Sequence, residues 1–76
     1  MVCRGYIEGD IIEFMELYAA FYDILKDYSM QEVWDSKRVY VLNYDEDFGY
    51  DLRFEHLDDE LIRITSIAKK NLEYFI

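Results

Sequence analysis

Two runs in the second half of the chain, "RVYVLNY" (Arg38–Tyr44) and "YDLRFEHL" (Tyr50–Leu57), alternate in side-chain character with a period of two. β-Branched and aromatic residues in that pattern predict strands. The Gly-containing acidic connection between them predicts an antiparallel hairpin. On the second run Tyr50, Leu52 and Phe54 point one way and Asp51, Arg53 and Glu55 the other, so one face is core and one is wet. On the first run both faces are apolar, which calls for two covered faces or an exposed aromatic one. A lone hairpin is marginal in water, so the flanking segments must supply most of the core.

Those segments read as helices. Asp10 and Glu13 match a capping box loosely and precede a long apolar-rich stretch, predicting a first helix over residues 11–26. At 100° per residue Glu13, Glu16, Ala20, Asp23 and Asp27 share one stripe, with Phe14, Tyr18, Phe21 and Leu25 opposite. The apolar sector is wide enough to demand two neighbours or a partner. Ser29 and Glu32 in "YSMQEV" form an S-x-x-E capping box and predict a short second helix, Met30–Ser36, carrying Trp34. "LDDELIRI" reads as the opening of a third helix, with Asp58 as N-cap and Leu61, Ile64, Ala68, Leu72 and Phe75 as its core stripe. The expected fold is α+β: one domain over residues 1–76, ordered α–α–β–β–α, with a two-stranded hairpin packed on two longer helices.

The chain is short, and a domain of this size buries only about 60% of the surface exposed when unfolded. With 53% apolar or aromatic residues and no proline it nonetheless has the composition of a folded protein. The single Cys3 excludes an internal disulfide, and "MVCRGYIEGD" lacks the continuous apolar run of a signal peptide. The longest apolar run, Leu17–Tyr22, is far below the ~20 residues that span a bilayer. The expected setting is cytoplasmic.

Net charge is −9, concentrated in two regions: residues 8–27 carry −5 and residues 45–60 carry −7. Direct binding to nucleic acid is disfavoured, because that affinity comes from Lys and Arg neutralising phosphates. Anionic membranes are disfavoured on the same ground. The partner such a field attracts is a basic protein.

No motif points to catalysis. Asp45, Asp47 and Asp51 resemble part of a calcium loop, but starting an EF-hand at Asn43 puts Phe48 where glycine belongs and Phe54 where the bidentate Glu belongs. His56 is the only histidine and has no inferable nucleophile or metal partner. No Gly-rich phosphate loop occurs. The sequence therefore predicts no enzyme, no cofactor and no metal site.

What remains is surface chemistry. Eight tyrosines suit half-covered positions at a core edge or interface. The candidate partner-binding residues are Glu13, Glu16, Asp23 and Asp27 along the first helix, and Tyr44, Asp45, Glu46, Asp47, Tyr50, Asp51 and Glu55 around the hairpin. In composition, though in no motif, the chain resembles small phage proteins that imitate DNA, including some anti-CRISPR and anti-restriction inhibitors. That resemblance implies an inhibitor occupying a basic, nucleic-acid-binding surface. The alternative is a homodimeric regulatory or structural protein of antitoxin or immunity type with an apolar interface.

Overall fold

The computed structural model describes residues 1–76. In chain order the elements are β1 (Ile11–Glu13), α1 (Phe14–Ala20), α2 (Tyr22–Leu25), α3 (Met30–Ser36), β2 (Arg38–Asn43), β3 (Phe48–His56) and β4 (Leu61–Asn71). Short 3₁₀ turns occupy Tyr44–Glu46 and Leu72–Phe75. The strands form one antiparallel sheet in the order β1-β4-β3-β2. The class is α+β, but the expected α–α–β–β–α order with a two-stranded hairpin is overturned. A strand comes first, and the segment expected to be the third helix is the longest strand.

The physical reason is a bulge. Phe54 pairs with Ile64 and Arg53 with Ser66, so Thr65 is an extra residue in β4. Ile62 and Ile64 face inward before it, and Ile67 faces inward after it. A one-residue insertion thus shifts the phase of a period-two pattern, and the shifted spacing imitates helical periodicity. The β-branched content of "IRITSI" outweighs that imitation. Each buried Ile contributes roughly 1.5–3 kcal/mol relative to exposure, so a slip that turned the inner set outward would be prohibitive.

The expected first helix is also divided. Gly9, at φ +95°, turns the chain so that Gly9 N–H donates to the Ile64 carbonyl and Ile64 N–H to the Asp10 carbonyl, aligning Ile11–Glu13 with β4. Asp10 does not cap a helix; its carboxylate accepts from Ile7 N–H at 2.9 Å. The helix starts at Phe14 and is interrupted at Phe21 (φ −113°, ψ 24°), after which α2 adds one turn. Phe14, Leu17, Phe21 and Leu25 are buried, while Ile11, Met15 and Tyr22 stay exposed. The second helix is as expected, Met30–Ser36, with the Ser29 Oγ accepting from Glu32 N–H at 3.1 Å.

The hairpin of β2 and β3 is present with its first strand ending at Asn43 and its second starting earlier, at Phe48. The helices cover one face of the sheet, where Val39, Val41, Leu52, Phe54, Ile62, Ile64 and Ile67 join Phe14, Leu17, Phe21, Leu25 and Val33. Cys3 is also in this core, held by a tight turn in which Cys3 and Tyr6 exchange backbone bonds across Arg4 and Gly5, both at positive φ. No helix is long and apolar enough to cross a membrane.

Part of the other face is covered by the C-terminal 3₁₀ turn. Phe75 packs edge-on against Tyr40, with ring centroids 5.1 Å apart. Beneath it lies Gly49, where a Cβ would stand 2.6 Å from Phe75 Cε2 and 3.0 Å from Leu42 Cδ2. The glycine is required by that approach. Gly49→Ala is expected to cost about 1 kcal/mol by displacing Phe75. The cost should largely vanish in a Phe75→Ala background, as read by urea denaturation of the two singles and the double.

Candidate interaction surface

The structure separates the expected acidic residues into neutralised and free groups. Asp51 is 2% exposed, on the sheet face opposite the helices. Its carboxylate lies 3.4 Å from Arg38 Nε and 3.2 Å from Arg53 Nη2, and it accepts from the Tyr74 hydroxyl at 2.9 Å. It fastens the sheet to the C-terminal turn. Glu55 pairs with Arg63 directly opposite on β4, at 2.7 Å. Asp23 receives both terminal nitrogens of Arg4, at 2.7 and 3.0 Å, while that guanidinium stacks over Phe21. These three expected partner-binding carboxylates are occupied within the molecule.

The expected continuous stripe on one helix does not form. Glu13 ends β1, Glu16 accepts from the Tyr6 hydroxyl at 2.9 Å, and Asp27 lies beyond α2. Tyr50 is half-buried beside the core, edge-on to Phe48. The hairpin tip is open to solvent. Tyr44 is 73% exposed, and Asp45, Glu46 and Asp47 are exposed with no ion pair. Asp47 takes the left-handed conformation (φ 62°) that closes the turn. No group of His, Cys, Asp and Glu has metal-binding geometry.

A second free acidic region lies at the opposite end of the sheet. Asp58 bends the β3–β4 connection by accepting from the Glu60 and Leu61 N–H groups, both at 2.7 Å. Helix N-caps and tight turns use the same side-chain chemistry, which is why "LDDEL" reads as either. Glu13, Asp59 and Glu60 then rim an open groove of about 450 Å³ whose apolar wall is Phe14, Met15, Met30 and Trp34. Trp34 is fixed by edge contact with Phe14 and by flat stacking on His56, 3.8 Å away. His56 Nε2 sits 2.7 Å from the Trp34 carbonyl, so that nitrogen carries the proton. Asp59, Glu60 and the methionines were not among the expected site residues. The signal that reveals them is an acidic turn between two alternating runs.

Arg4's hydrogen bonds hold the Asp23 carboxyl below the ordinary value of 3.8, and the Glu60 and Leu61 N–H groups do the same for Asp58. Burial pushes the Cys3 thiol up, making it a poor nucleophile. Known protein families, curated proteins and solved structures offer no match to this chain.

Two predictions follow from these partners. Asp51→Ala leaves two guanidiniums facing each other and strands the Tyr74 hydroxyl. Because both arginines keep solvent access, the expected loss is about 2 kcal/mol, below the usual penalty for a fully buried pair, measured by urea unfolding. Asp23 and Asp58 titrate lower folded than unfolded, so their stabilisation is complete above the unfolded value and fades as pH falls through the folded one. Asp23→Asn and Asp58→Asn should each flatten the acid side of the stability–pH curve below about pH 4 and lower stability at pH 7.

Proposed function

We propose that this chain is a small acidic binding module that inhibits a partner by occupying a basic, nucleic-acid-binding surface in a cytoplasmic setting. The observation that carries the reading is the allocation of cations. All four arginines are engaged in internal ion pairs, no lysine makes one, and only Glu8, Asp23, Asp51 and Glu55 among the 17 acidic side chains are paired. The remaining carboxylates include the hairpin tip and the Glu13–Asp59–Glu60 rim, at opposite ends of β3 and so about 27 Å apart along a strand of nine residues. Two anionic ends on a rigid sheet, with Tyr44 and the Trp34 groove beside them, suit a surface built for phosphates and stacked bases.

The homodimer reading rests on different residues: Ile11, Met15 and Tyr22 are each more than half exposed. Sedimentation at low and high salt separates the two, because an apolar dimer persists when charge is screened.

Charge reversal tests the main reading. Replacing Asp45, Glu46 and Asp47 with Lys, or Asp59 and Glu60 with Lys, should slow association with a captured basic partner at least about tenfold at low salt. Added duplex DNA should displace that partner from the unmodified protein. Binding that survives both reversals at low salt, or that DNA leaves untouched, overturns the proposal.

A further inference from the structure

The border of the sheet at β2 is open, and its backbone bonding shows which groups are free. Lys37 C=O accepts from Phe54 N–H at 3.0 Å, so residue 37 faces β3. Strand alternation then turns Val39 and Val41 toward β3, and Arg38, Tyr40 and Leu42 outward. At Arg38 the outward side is guarded by Ser36: its Oγ accepts from the N–H at 3.3 Å and shares its single proton between the Val33 C=O at 2.7 Å and the Arg38 C=O at 3.0 Å. Tyr40 and Leu42 have no such guard, which leaves two N–H and two C=O groups without a partner.

Along this border runs a second groove, of about 670 Å³, between the strand and α2–α3. Ile24, Leu25, Tyr28 and Val33 supply its apolar wall. Asp27 and Glu32 also line it, and neither has a cation. Arg38, the one basic residue there, is committed to Asp51 and to the Tyr40 hydroxyl, at 2.9 Å. The groove is therefore apolar in its wall, anionic at its rim, and bordered by a strand edge with unspent hydrogen bonds.

We propose that an extended, basic-flanked segment of a partner protein adds to β2 as a fifth antiparallel or parallel strand. Its backbone bonds Tyr40 and Leu42, apolar side chains at alternate positions enter the groove, and flanking Lys or Arg residues meet Asp27 and Glu32. Two pairs of ladder bonds need about five residues, or about 17 Å of extended chain. The Ser36 guard at Arg38 sets one end. This rests on the basic-partner reading and gives that partner a form; it does not need the hairpin tip or the Trp34 groove.

The probe is a capped heptapeptide with lysine at both ends, valine at its second, fourth and sixth positions and threonine between, titrated into the isotopically labelled full chain. Expected are shifts centred on the Tyr40 and Leu42 amides and slowed hydrogen exchange at both. The same peptide N-methylated at alternate residues, so that it keeps its charge but loses the ladder, should bind at least about tenfold more weakly. Asp27→Lys combined with Glu32→Lys should weaken the unmodified peptide and remove its salt dependence. Equal binding by the N-methylated peptide, or shifts confined to the hairpin tip or the Trp34 groove, overturns the inference while leaving the basic-partner reading standing. Protection of the Tyr40 and Leu42 amides in a homodimer without peptide also overturns it, by making the occupant a second copy.

Discussion

The pairing of β3 with β4 is the constraint on which the rest of the structure depends. Nine residues of β3 are matched by β4, and β4 also carries β1 on its other side. The bulge at Thr65 lets one eleven-residue strand keep Ile62, Ile64 and Ile67 on the helical face despite an odd insertion. Three short helices then suffice for the core, because they have only one face to cover. The opposite face is completed by a few polar and aromatic contacts rather than a second helical layer. Asp51 and Gly49 are the residues that permit this: one binds Tyr74, the other makes room for Phe75.

Charge follows from the same architecture. A strand presents alternate residues to opposite faces, so Arg38, Asp51, Arg53, Glu55 and Arg63 meet across the outer face and neutralise one another. Most of the unpaired carboxylates lie in the two turns that end β3 or line the grooves. The arginines and carboxylates of β2 and β3 are thus paired, whereas the carboxylates of the two turns make no ion pair.

What the sequence makes legible depends on how local the cause is. Ser29 and Glu32 mark α3 to the residue because a capping box acts within four positions. The β2–β3 hairpin is readable in outline, since its alternation and its acidic turn are contiguous, although β3 starts two residues earlier than the alternation shows. The first and last segments are not. Ile11–Glu13 becomes a strand because β4 offers it bonds, and β4 is recognisable only once Thr65 is counted as an insertion. The acidic residues follow the backbone: a helix aligns Glu13, Glu16, Asp23 and Asp27, whereas a strand, a broken helix and a loop scatter them. Asp51 and Glu55 look exposed in an alternating run until the arginines on neighbouring strands are placed, and no property of the run itself places them.

Six of the seven residues of α3 form a shared wall. Met30, Gln31 and Trp34 face one groove, while Glu32, Val33 and Ser36 face the other. The helix is latched to the end of β3 by the Trp34 carbonyl and His56. A ligand that shifted α3 from either side would alter the width of the opposite cleft, and thermodynamic linkage makes such an effect mutual. Two surfaces that look separate on the exterior thus share one short helix as their common wall.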